Sequence, residues 1–367
     1  MKTERAAKSG FEVCRLAADA YLNSGRLLDI CARELYDSLV EASGYSGDDI
    51  KYYNPQRYTS GPIIVDVRTS DSEMPDLYYA GHIPGAWHVS WQEIARPKTL
   101  ECLPKGRRIV VYSGNGQTGG QAAAVLGLLG YDAVNLKWGI SAWTRDADAA
   151  PGRYEKVRDT VWQEGSAYRT VTGDNSIFRV HSPAVTEAIY PFPSVTGDFD
   201  DEMAGMAALA DAYLSSCRAP NLAPPELYRR LYFDVDSAVS GQSSEKGHPL
   251  ETAPLLLDVR EQEAYRRGFI PGSLHTAWND VFKERSLSRL PPDSQIVVYS
   301  STGHKGAQVT ALLNLLGYRA ANLKWGIAGW SLALPGAEIA PGRYVEAKDC
   351  LDYRIVSGFD AFVKCTT

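Results

Sequence analysis

Long apolar stretches are missing from this 367-residue chain. None reaches the roughly 20 residues that a membrane-spanning helix needs, which excludes a helical span. Basic clustering is missing as well. The formal charge is −6 and the isoelectric point about 5.6, so no cationic face is available for phosphate backbones and nucleic acid is excluded as a partner. The six cysteines (Cys14, Cys31, Cys102, Cys217, Cys350 and Cys365) form no C-x-x-C pair and stand apart from the histidines. That spacing excludes a zinc site and a dithiol redox centre, and neither a metal nor another cofactor is expected. All six read as free, mostly buried thiols in a reducing compartment. Met1-Lys2-Thr3-Glu4-Arg5 lacks an apolar signal core. The expected compartment is the cytoplasm by default, or an exported location with the leader absent.

What is present is duplication. With an offset of 187, residues 107–143 match residues 294–330 at 22 of 37 positions. Leu128-Leu129-Gly130-Tyr131 recurs as Leu315-Leu316-Gly317-Tyr318, and Asn135-Leu136-Lys137-Trp138-Gly139-Ile140 recurs as Asn322-Leu323-Lys324-Trp325-Gly326-Ile327. Val65-Asp66-Val67-Arg68 answers Leu257-Asp258-Val259-Arg260, and Tyr168-Arg169-Thr170-Val171 answers Tyr353-Arg354-Ile355-Val356. A period this long means two tandem domains, not a solenoid of short units. The expected limits are 1–173 for the first, 174–201 for a proline- and aromatic-containing connection that packs along the surface, and 202–367 for the second.

Within each copy, apolar β-type runs alternate with helical patterns. Ile63–Val67 and Leu255–Val259 read as buried strands, as do Ile109–Tyr112 and Val134–Lys137. Gln121–Leu129 reads as a helix ended by Gly130. Strands this apolar predict an α/β fold in each copy, a mainly parallel sheet with helices on both faces. The decisive phrase is the strand Ile109-Val110-Val111-Tyr112 followed by Ser113, and its twin Ile296-Val297-Val298-Tyr299 followed by Ser300. Each strand runs into a glycine-rich loop and then a helix. This places one side chain within a ring of backbone amides at the tip of a buried strand, where α/β folds put their chemistry.

The Asp-Val-Arg turns, the Gly81-His82-Ile83-Pro84-Gly85-Ala86 phrase, the strand–loop–helix unit and the Leu-Lys-Trp-Gly ending occur in order, twice. On these residues the chain resembles the rhodaneses, the sulfurtransferase-fold family, over nearly its whole length as two tandem copies. The resemblance implies a persulfide-carrying cysteine at the first loop position, activated by the loop amides. Here that position is Ser113 in one copy and Ser300 in the other. The loops continue as Gly114-Asn115-Gly116-Gln117-Thr118-Gly119 and Ser301-Thr302-Gly303-His304-Lys305-Gly306, with length kept in both.

A hydroxyl cannot form the sulfur–sulfur bond of a persulfide, and it stays protonated unless a base is presented to it. The expectation is therefore a protein without sulfurtransferase turnover, acting as an anion- or partner-binding module. Sulfate or thiosulfate would sit on the loop amides, or water would fill them while the serines cap the turn. Lys305 makes the second loop the better anion site. Trp138 and Trp325 are expected at the pocket rim, the Asp66–Arg68 and Asp258–Arg260 pairs as structural ties, and His82, replaced by Phe269 in the second copy, as a packed loop residue. Two alternatives stay open: a thiosulfate-type sulfurtransferase whose loop cysteines were replaced by serine in this chain, and a serine-dependent hydrolase in which His304 serves Ser300.

Overall fold

The computed structural model describes residues 8–68, 77–151, 168, 188–216, 220–239, 254–331, 344 and 346–358. Residues 174–187 of the expected connection, together with Cys217 and Cys365, lie outside the described residues. Each repeat builds a five-stranded, all-parallel sheet. The first is ordered β1-β5-β4-β2-β3, from β1 (Asp29–Ile30), β2 (Ile63–Asp66), β3 (Ala86–His88), β4 (Ile109–Tyr112) and β5 (Ala133–Leu136). The second repeats it as β6-β10-β9-β7-β8, from β6 (Asn221–Leu222), β7 (Leu255–Asp258), β8 (Leu274–His275), β9 (Gln295–Tyr299) and β10 (Arg319–Leu323).

The strands lack hydrophobic alternation because both faces are covered. On β2 and β4, Ile63, Val65, Ile109 and Val111 point to one apolar cluster, while Ile64, Val110 and Tyr112 point to another. Side-chain alternation along a strand divides the residues this way. The first cluster runs on into the second repeat through Leu255, Leu257, Ile296 and Val298. One core therefore lies between the two sheets, and each sheet has a further core on its outer face.

The helix after each loop starts earlier than the apolar pattern indicated. It spans Gln117–Leu128 in the first repeat and His304–Leu315 in the second, with Gly116 (φ +79°) and Gly303 (φ +88°) at the N-caps. The expected start at Gln121 missed the first turn because Gln117, Thr118 and the two glycines carry no apolar periodicity. These two loop helices pack on each other between the sheets.

Elements are exchanged between the repeats on both sides of this contact. From the first leading helix (Gly10–Leu22), Arg15 donates to the Phe282 carbonyl at 3.2 Å and Asn23 to the Asn279 carbonyl at 2.9 Å. From the second leading helix (Glu202–Ser216), Tyr213 meets Trp91 edge to face at 6.1 Å. The tail crosses back. Tyr353 N–H donates to the Trp143 carbonyl at 2.6 Å, Trp143 Nε1 donates to the Arg354 carbonyl at 2.8 Å, and Val356 bridges His82 antiparallel. In the other direction, Tyr168 N–H donates to the Trp330 carbonyl at 3.2 Å, and its ring stacks on Tyr228 at 4.3 Å. The described part of the connection lies on both repeats: Phe192 stacks on Phe11 at 4.9 Å, and Tyr190 N–H donates to the Ser288 carbonyl at 2.7 Å. No helix among the described residues is long and apolar enough to cross a membrane.

The cysteines are not uniform. Cys14 and Cys350 are free and buried, and Cys31 is free and exposed. Burial pushes the Cys14 thiol up to about 11, away from thiolate chemistry. Cys102, however, is disulfide-bonded, so the expectation of six free thiols is corrected at that position. The thiol count and spacing carried no sign of this, because a disulfide depends on separations in space.

Candidate active-site loops

Ser113 and Ser300 stand where the parallel sheets end, each following the last residue of a central strand. Both are only 4% exposed. Ser113 Oγ accepts a hydrogen bond from Gly116 N–H at 3.1 Å. Ser300 Oγ accepts two, from Gly303 N–H at 3.1 Å and Gly306 N–H at 3.2 Å. Their own carbonyls are bonded as well, by Ile140 N–H and Ile327 N–H at 2.9 Å. The amides that would hold an activated oxygen or sulfur are in place, and a neutral hydroxyl receives them as a turn cap.

The loop architecture rests on residues shared by the repeats. Asn135 and Asn322, on β5 and β10, slide their side-chain oxygens beneath the loop helices. A Cβ on Gly119 would lie 2.8 Å from Asn135 Oδ1, and one on Gly306 would lie 2.7 Å from Asn322 Oδ1. A side chain at either position would force the asparagine oxygen to shift. The other amide ends reach β1 and β6: Asn135 Nδ2 donates to Asp29 at 2.7 Å, and Asn322 Nδ2 donates to Asn221 at 3.0 Å. Burial raises the Asp29 carboxyl above its ordinary range, against the opposing pull of Asn135 and Lys137.

Trp138 and Trp325 both take a left-handed backbone, φ +65°, which is costly for a bulky residue. Their rings are buried, with centroids 6.5 Å apart. Trp138 also meets the His304 ring of the second loop edge to face at 4.6 Å. The loops face each other across the repeat boundary, and each sends its helix-starting residue to the other. Gln117 Oε1 accepts from Asn322 Nδ2 at 2.9 Å in the second repeat. His304 enters the first loop, where Trp138 N–H donates to its Nε2 at 3.1 Å and the Asn115 carbonyl lies 3.3 Å from the same atom. The shorter contact makes Nε2 the acceptor, which places the proton on Nδ1, 3.0 Å from Thr302 Oγ1. Burial, with Lys137 nearby, holds the imidazole pKa down to about 3.

These bonds correct one expectation. His304 is not bonded to Ser300: its ring nitrogens are taken by Thr302 and the first loop, and Ser300 Oγ is held by amides. The hydrolase alternative loses its base. Lys305, expected to strengthen the second loop as an anion site, is exposed and engaged with an aromatic ring in this structure. Its ammonium lies over the Trp278 ring at 4.1 Å, with Glu261 and Asp29 nearby. A cation over an aromatic face is attracted by the ring quadrupole. Of the remaining loop residues, Gly114, Asn115 and Ser301 stay half-buried, and the half-buried Thr118 Oγ1 accepts from Asn221 Nδ2 of the second repeat at 3.3 Å.

The Asp-Val-Arg turns are structural. Arg68 pairs with Asp66 at 2.5 Å and donates to the carbonyls of Ala149 (2.7 Å) and Gly81 (2.8 Å). Arg260 pairs with Asp258 at 2.6 Å and donates to the Gly268 carbonyl at 2.7 Å. His82 is buried, stacked on Tyr78 at 3.8 Å, with Nδ1 2.9 Å from the Tyr78 carbonyl. Sequence reasoning missed the crossing of Gln117 and His304. The signal was their equivalence under the offset of 187, but nothing in the sequence said that the two loops meet.

Two parallel sheets whose central strands each deliver a side chain into an amide-lined loop define a sulfurtransferase-type scaffold. The rhodanese-like domain matches residues 53–146 and 243–333, more than half of the chain. The chain belongs to the rhodanese-like family and carries two tandem domains of it. A 102-residue stretch, 27% of the chain, is 29% identical to a tRNA sulfurtransferase of Desulfurococcus amylolyticus and covers 19% of that protein's length. A 78-residue stretch, 21% of the chain, is 32% identical to a sulfurtransferase of Allochromatium vinosum and covers 71% of it. Among solved structures, a thiosulfate sulfurtransferase from Pseudomonas aeruginosa is 16% identical, aligned over 92% of this chain and 49% of its own, with a TM-score of 0.25.

Proposed function

We propose that this rhodanese-like protein does not relay sulfur at its loops and acts as a binding module. The observation that carries the reading is the state of the two serines: each hydroxyl is buried, and its oxygen already accepts loop amides. No thiol stands at either position to form a persulfide. The half-buried loop residues Gly114, Asn115 and Ser301 are the surface offered to a small anion such as sulfate or thiosulfate, or to a protein partner. The exchange of elements between repeats supports the same reading, since a locked pair of domains presents a fixed surface. Thiocyanate formation from thiosulfate and cyanide, measured on the purified chain, tests it. Background rates are expected, and turnover that persists after thiol blocking would refute the proposal.

A second reading draws on the intact amides. Two N–H groups aimed at Ser300 Oγ would stabilise a thiolate equally well, so the loop keeps the electrostatics of a sulfurtransferase. Restored sulfur transfer in Ser300→Cys would favour a sulfurtransferase whose cysteines were replaced over a loop that has diverged toward binding.

A further inference from the structure

The His304 imidazole occupies a place in the first loop that the first repeat does not fill itself. Trp138 N–H and the Asn115 carbonyl converge on Nε2 at 3.1 and 3.3 Å, and the Trp138 ring meets the imidazole edge to face at 4.6 Å. Gly116 leaves room here: a Cβ there would meet the Leu136 carbonyl and Trp138 N at 2.7 Å and His304 Nε2 at 3.0 Å. At the equivalent place in the second loop, Gln117 carbon and oxygen atoms lie 3.2 Å from where a Cβ on Gly303 would be. Gln117 binds its host loop less completely, for among the described residues its buried Nε2 finds no hydrogen-bond partner. One loop thus holds a fully bonded guest from the other repeat, and the other holds a partly bonded one.

We propose that the first loop is a small-ligand site kept occupied by His304, and that it takes a compact, neutral, protic group such as an azole or an alcohol. Trp138 N–H is the donor at this point, so the fitting atom must accept: an unprotonated azole nitrogen answers that donor alone, and a hydroxyl answers it while also donating toward the Asn115 carbonyl. A bare oxyanion meets the Asn115 carbonyl head-on and is disfavoured. A cation loses to the Trp138 N–H and the nearby Lys137, and the depressed imidazole pKa fits a place that admits only uncharged guests. The inference rests on the binding reading but concerns the buried point held by His304, which is separate from the half-buried loop surface offered to an anion.

The test uses the full chain with His304→Gly and imidazole as the probe. The variant is expected to melt lower than wild type, and imidazole should raise its midpoint saturably, with binding at least about tenfold tighter than to wild type. Equal imidazole response in variant and wild type, or none in a variant shown by circular dichroism to be folded, would overturn the proposal. So would sulfate stabilising the variant more than imidazole does. Should His304→Gly not fold, nitrogen-15 spectra of the wild-type imidazole decide the matter. An unprotonated Nε2 coupled to the Trp138 amide is expected, and a protonated or solvent-exchanging Nε2 would contradict it. Thiocyanate turnover by the wild type would sink the non-catalytic reading while leaving this imidazole result standing.

Discussion

The first and second loops share a backbone and differ in what faces the other repeat. Gly116 and Gly303, Gly119 and Gly306, Asn135 and Asn322, Trp138 and Trp325 are matched pairs that fix the turn, the helix start and the strand tip. Gln117 against His304, Thr118 against Lys305 and Asp29 against Asn221 are mismatches whose six side chains lie along the seam between repeats, beside the loop differences Gly114 against Ser301, Asn115 against Thr302 and Gly120 against Ala307. Duplication has kept what one domain needs to fold and released what the pair needs to dock. The serines belong to the first group. They are identical, similarly buried, and bonded to their own loops.

The largest effects test the shared frame. Removing either arginine of the buried pairs strands a carboxylate and frees two backbone carbonyls in each case. Arg68→Ala and Arg260→Ala should each cost about 3–5 kcal/mol in urea unfolding. A large difference between them would mean that the repeats do not share this tie. Next comes the glycine under the loop helix. Gly119→Ala and Gly306→Ala should each lose about 1–3 kcal/mol, because the Cβ meets an asparagine oxygen held by a strand. The neighbouring Gly120 has ordinary room, 3.5 Å to Asn135 Nδ2, and its equivalent is Ala307. Gly120→Ala should gain about 0.5–1 kcal/mol from helix propensity, and a loss would show that the repeats diverge in packing there.

Smaller effects sharpen the contrast between loops. With two amides aimed at position 300 and one at position 113, Ser300→Cys should yield the more acidic thiol. The pH dependence of alkylation by iodoacetamide reads this directly, and equal or reversed acidity would break the assignment. His304 gives a pH signature. Its folded-state pKa, about 3, lies below its ordinary 6.5, so the unfolded chain binds a proton that the folded chain refuses. The stabilisation is complete above pH 6.5 and is lost as pH falls toward 3. His304→Gln should flatten the stability profile across that window, and an unchanged slope would place the proton uptake elsewhere.

Much of the fold was legible because buried parallel strands are apolar on both faces, and because a long-period repeat fixes the domain count. The edge strands β1 and β6 were not legible. Two residues each, with Asp29 and Asn221 as half their length, they carry no hydrophobic signature and exist because β5 and β10 offer an open edge. The loop serines were found from position alone, at the strand tips. Their bonding was not, since a Ser-Gly-Asn-Gly phrase reads equally as an anion cradle or a self-capped turn. Nor could Lys305 be placed: its ammonium is drawn away by Trp278, which lies 27 residues earlier in the chain and is adjacent only in space.

Intact-mass measurement after incubation with thiosulfate tests the central claim most directly. The account expects the wild-type chain to keep its mass, because both loop positions present a capped hydroxyl. A gain of one sulfur atom, removed by cyanide and mapped to the chain, would contradict it.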